Sequence, residues 1–164
     1  MDLLGHFQMF ARYNRIANER LFEACARLDR IEYRKQRPGS FGSIHRLLNH
    51  ILLGDRIWME RFEYSGHLTP LLNTVVAEEL AELTRVRVTE DARIEAFFEH
   101  PPENFWGEPL RYVNNQGKEY VEQPSVAVSH FFNHQTHHRG QVHVMLSQTA
   151  VPPPSLDLHR IINP

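Results

Sequence analysis

Residues 130–143 read HFFNHQTHHRGQVH, and residues 47–62 read LLNHILLGDRIWMERF. Five of the chain's 11 histidines fall in the first stretch: His130, His134, His137, His138 and His143. If that stretch is helical, positions i and i+4 differ by about 40° in azimuth and about 6 Å in rise. His134 and His138 then share one face, with His130 a turn earlier on the same stripe. His137 points about 100° away from His138, and His143 is displaced again. Two imidazoles on one face can share a metal ion, but a catalytic site of the zinc type takes about three protein ligands and keeps a position open. His50 is the candidate for the third, because it interrupts an apolar run in which an unsatisfied histidine would be desolvated without compensation. His45 lies on another face of its helix. His6, His67, His100 and His159 sit near element ends or in loops and read as surface residues. The zinc-protease signature H-E-x-x-H is absent: Gln135 stands where the general-base glutamate would be, and an amide takes no proton at neutral pH.

Working outward, apolar residues recur at steps of three and four over residues 4–28, an amphipathic first helix. The basic stretch from Arg27 to Arg37 is interleaved with Asp29 and Glu32 and ends at Pro38-Gly39, so it reads as a solvated loop. Ser40 or Ser43 caps a second helix running to about Tyr64, closed by Gly66. After Pro70 a third helix runs from about Thr74 to Glu99, with Val86, Val88 and Thr89 the weakest helix formers in its middle, and Pro101-Pro102 stops it. Two β-prone stretches flank Asn114-Asn115-Gln116-Gly117, the composition of a hairpin turn. Pro124 suits the first turn of a fourth helix ending near Gln148, and the Pro-rich tail reads as an irregular strap. The expected fold is all-α: a four-helix bundle with a long crossover and a small β-hairpin insertion before the last helix, as one domain over residues 1–164.

Composition narrows the function classes. The chain is 41% hydrophobic and 23% charged, with 18 Lys+Arg against 20 Asp+Glu and a net charge of −2. Nothing in that balance draws a nucleic acid or an anionic membrane. No apolar run approaches the ~18 residues of a membrane span. The N-terminus lacks the basic and apolar regions of a signal peptide, so a cytoplasmic protein is expected. Cys25, the single cysteine, occupies a core-facing position and reads as a small hydrophobe rather than a nucleophile.

The histidine stretch with its neighbour LLNHILLGDRIWMERF closely resembles the DinB/YfiT-like superfamily. Tyr13-Asn14 with Ala17-Asn18, the glycine-containing hairpin, the run His138-Arg139-Gly140-Gln141 and the terminal prolines before Leu156-Asp157 follow that family's landmarks in order. The resemblance implies a four-helix bundle, a homodimer and a divalent metal, Zn²⁺ or Ni²⁺ first, on His50, His134 and His138. Some relatives are damage-inducible, and some are thiol-dependent transferases or isomerases. Three neutral imidazoles leave a dication its full charge, which suits either hydrolysis or ionisation of a low-molecular-weight thiol. Some mycothiol-using relatives carry a further domain after the bundle, so mycothiol-dependent isomerisation is not expected of this chain. Asn14, His130 and Gln141 are candidates to hydrogen-bond the ligating rings. Two enzyme readings therefore stand, a metal-dependent hydrolase and a thiol S-transferase acting on a small molecule. Beside them stands a non-catalytic, stress-related metal-binding module.

Overall fold

A computed structural model of the chain describes residues 1–64, 73–114 and 116–163. Gly66, His67, Pro70 and Asn115, named above as a helix end, a surface histidine, a helix-start signal and part of a turn, lie outside the described residues. Six helices and one two-stranded sheet occur among those described: α1 (Leu3–Cys25), α2 (Arg30–Arg34), α3 (Ile44–Phe62), α4 (Leu80–Glu99), β1 (Leu110–Val113), β2 (Glu119–Glu122), α5 (Pro124–Leu146) and α6 (Leu158–Ile162). The four long helices form the bundle, α1 against α4 and α5, and α3 against α4 and α5. The fold is thus an all-α bundle with a small β insertion on the crossover from α4 to α5.

Local chemistry sets the element boundaries. The Asp2 carboxylate accepts the Gly5 N–H at 2.8 Å and starts α1. The Ser43 hydroxyl accepts the Arg46 N–H at 3.2 Å and starts α3, deciding between the two candidate caps. Pro124 opens α5 without an N–H to satisfy. In the hairpin Tyr112 pairs with Tyr120, their rings stacked at 5.5 Å, and Gly117 takes φ 77° in the turn.

Three expectations are corrected. The basic stretch is not a solvated loop: Asp29 caps a short helix through the Glu32 N–H at 2.7 Å, and Arg37 is buried with its guanidinium 2.6 Å from the Glu32 carboxylate. The third long helix begins at Leu80 rather than Thr74. The Asn49 side-chain oxygen accepts the backbone N–H groups of Val76 and Ala77 at 2.7 and 2.9 Å, binding that stretch to α3 in a non-helical path. The tail is irregular only as far as Asp157; α6 follows, burying Ile161 against Tyr13 and Ala17 of α1. The β-branched residues at 86–89 do not interrupt α4.

The core has two apolar clusters separated by a polar layer. One gathers Leu21, Cys25, Leu47, Leu48, Leu52, Leu83, Val142 and Leu146, and the other gathers Phe7, Met59, Phe62, Ile94, Phe98, Phe131 and Phe132. Between them in sequence on each long helix stand buried polar residues: Asn14 and Asn18 on α1, Asp55 on α3, Arg87 and Asp91 on α4, and Gln135 and Arg139 on α5. Asp55 holds Arg87 on one oxygen and accepts from Gln135 Nε2 at 2.8 Å on the other. Asp91 accepts from Asn18 at 2.9 Å and lies 2.9 Å from Arg87, while Arg139 donates to Asn14 and Asn18. Asp55 and Asp91 balance Arg87 and Arg139 in this layer, and the neighbouring Glu90 is paired with Arg56 and Arg93, the condition under which charge survives away from water.

Candidate metal centre

α3 and α5 bring His50, His134 and His138 to one point on their shared seam. Ring centroids are 4.4 Å apart for His134 and His138, 4.6 Å for His50 and His138, and 5.2 Å for His50 and His134. One nitrogen from each ring lies within 4.8 Å of the other two. Nitrogen donors that close can converge on one ion with bonds of about 2.0–2.1 Å, so the residues fit a divalent transition metal.

Each ring is held by its surroundings. Phe41 stacks on His50 at 4.0 Å and meets the edge of His138 at 5.5 Å. Gly54 leaves room for His134: a Cβ at that position would stand 2.8 Å from Cε1 of the imidazole. Gln141 Oε1 lies 2.9 Å from His138 Nδ1. As this oxygen can only accept, His138 carries its proton on Nδ1 and keeps Nε2 free for an ion. The amide nitrogen of Gln141 donates to His137 Nε2 at 3.0 Å.

Electrostatics keep His134 and His138 in their donor form. Burial, and then the neighbouring imidazoles His138 and His50, push the His134 pKa down to about 3. Burial lowers that of His138 as well, opposed by its hydrogen bond to Gln141. Neutral imidazoles at neutral pH are the form that binds metal.

The residues selected on sequence fall into two groups. His50, His134 and His138 meet, and Gln141 touches a ring of the trio. Asn14 does not: its side chain is taken up by Asp91 and Arg139 in the buried layer, so its expected hydrogen bond to a ligating ring is corrected. His130 makes no such bond either. Its ring lies 6.0 Å from His134, a helical turn away, and packs at 5.2 Å on Trp58. His45 is buried at 5.4 Å from Tyr33 and beside Asn49, away from the trio. Cys25 is fully buried, and desolvation pushes its thiol up to about 12, which keeps it protonated. Phe41 and Gly54 were not singled out as site residues. An apolar residue placed in the polar loop 38–43, and a glycine inside an apolar helix four residues after His50, were the available signals.

Three histidines converging from two helices of a bundle define a candidate metal centre in a helical protein, and the comparisons give the family. The family model for the DinB family matches residues 4–164. Protein DinB of Bacillus subtilis (strain 168) is 30% identical over 148 residues, covering 84% of this chain and 83% of that protein. The chain belongs to the DinB family.

Proposed function

We propose that the protein is a metal-dependent transferase that joins a low-molecular-weight thiol to a small electrophile, with His50, His134 and His138 as the ligands. A divalent ion there, Zn²⁺ or Ni²⁺ first, would supply the Lewis acidity that ionises a thiol at neutral pH. The thiolate sulfur would attack carbon and form an S–C bond, either as a C–halogen bond breaks, with halide leaving and the thiol's proton passing to solvent, or as an epoxide C–O bond breaks and its oxygen takes up the proton. The observation that carries this reading is the composition of the site. The ligand atoms that lie within 4.8 Å of one another are three imidazole nitrogens, a set of uncharged donors that would leave a dication its full charge. A thiol of pKa about 8.5 needs only a modest fall to ionise at neutral pH, a smaller one than water needs. The chain's own roles are to hold three neutral donors, to fix the His138 tautomer through Gln141, and to cover the His50 face with Phe41. Cys25 is too deeply buried to act as the thiol, so the nucleophile comes from solution. A cytoplasmic homodimer completes the proposal, its assembly open to sedimentation analysis.

The test is consumption of an epoxide or haloaromatic by zinc-loaded protein with and without a small thiol. Thiol-dependent turnover that disappears in His50→Ala is expected. Ester or amide turnover without thiol would overturn the transferase in favour of a hydrolase. No turnover of either kind, with chelation lowering the melting temperature, would point to the non-catalytic module.

A further inference from the structure

Arg61, in the last turn of α3, lies between two aromatic rings. Its guanidinium carbon is 4.5 Å from the Trp58 centroid and 4.1 Å from that of Tyr112. Most other partly or fully buried arginines up to α4 have carboxylates: Arg15 has Glu95, Arg37 between α2 and α3 has Glu32, Arg56 has Glu90, Arg87 has Asp55 and Asp91, and Arg93 has Glu60, Glu63 and Glu90, while Arg20 donates to the Ser155 carbonyl. Arg61 has no ion pair or side-chain hydrogen bond with any described residue, although it is half-buried and desolvated. Glu122 faces the same corner and acts on Tyr112 and His130 without pairing with Arg61. A guanidinium always carries its charge, and clamping between aromatic planes leaves its N–H edge free for a bidentate acceptor. The same Trp58 ring meets His130 at 5.2 Å, and His130 lies 6.0 Å from His134. A contiguous row of rings therefore leads from the three-histidine cluster to a cation with no ion pair among the described residues.

The geometry points to Arg61 as the anchor for a carboxylate on the substrate, making the electrophile a small organic acid that reaches along Trp58 to the metal. This rests on the reading of the three histidines as a metal centre. A dication on the three histidines and Arg61 would place a positive charge at each end of that path, with the Glu122 carboxylate near the Arg61 end, which suits a ligand carrying an anionic group for Arg61 over a cationic one.

Hydroxamates provide the probe, because their head group chelates a metal while the tail is chosen freely. Calorimetric titration of the zinc-loaded protein would compare ω-carboxyalkyl hydroxamates of graded length with alkyl hydroxamates of equal length. At one length the acid is expected to bind about tenfold tighter than its neutral counterpart, or about 1.4 kcal/mol. Arg61→Met should abolish that preference, and Arg61→Lys should keep part of it. Absence of a carboxylate preference at every length, or its survival in Arg61→Met, overturns the assignment while the metal centre stands. Failure of the wild type to hold zinc at all overturns both, and elemental analysis of the same samples tells these results apart.

Discussion

Gln141 Oε1 stands 2.9 Å from Nδ1 of His138, three residues earlier on the same helical face, and so decides which nitrogen of that ring is left to a metal. Such partners of ligating rings are worth about 10–100-fold in metal affinity when removed. Gln141→Leu should weaken zinc binding by that order, measured by competition with a chromogenic chelator, while Gln141→Glu, which keeps an acceptor, should retain most of it. Equal affinity in Gln141→Leu and wild type would show that the amide does not set the tautomer.

Gly54 separates stability from metal affinity. A glycine within a helix is disfavoured by about 0.5–1 kcal/mol relative to alanine, so Gly54→Ala gains helix propensity. The added methyl meets only the His134 ring at 2.8 Å, and in the metal-free protein that ring can turn aside. We expect apo stability unchanged or higher by chemical denaturation, with metal affinity at least about tenfold lower. Unaltered zinc binding in Gly54→Ala would mean that the ring does not need its present position.

The buried acids should leave a mark on pH dependence. Burial is the largest influence on Asp91, and outweighs Arg87 to push its pKa up to about 6 from an ordinary 3.8. Between those values the folded chain binds more protons than the unfolded one, so this contribution to stability declines as pH rises through the window and is flat above it. Asp55 and Glu90 are raised by burial and act in the same direction. His134, lowered to about 3 from 6.5, acts oppositely: the unfolded chain takes the proton first, and stability falls as pH drops below the ordinary value. In metal-free protein, Asp91→Asn removes the first effect and keeps the second. The variant should therefore lose more stability than wild type between about pH 6.5 and pH 4.5, read from urea midpoints. Parallel curves would contradict the raised carboxyl.

How much of this was legible in the sequence depended on what each residue's pattern could encode. His134 and His138 were visible because helical spacing alone puts them on one face, and His50 because it breaks an apolar stripe. The buried layer was not. Arg87, Glu90 and Asp91 lie in a helix whose many charged residues read as a solvated face, and only assembly of four helices brings Asp55, Asp91 and Arg139 to one level. Asn14 and Asn18, four residues apart beside Ala11 and Ala17, were the trace of that layer. Asn14 was read toward the histidines because polar residues on a buried stripe do not say which partner they serve. The start of α4 was misplaced for a similar reason: hydrogen bonds from Asn49, far away in sequence, hold Val76 and Ala77 out of the helix.

The most direct test of the metal centre is elemental analysis of untagged protein purified without a nickel column, for wild type and for His50→Ala, His134→Ala and His138→Ala, with circular dichroism to establish that each is folded. About one divalent ion per chain in wild type, lost or sharply reduced in all three folded variants, is the expected result. A folded wild type that neither carries a metal nor takes up added Zn²⁺ or Ni²⁺ would contradict it, and would leave the three imidazoles as packing on the α3–α5 seam.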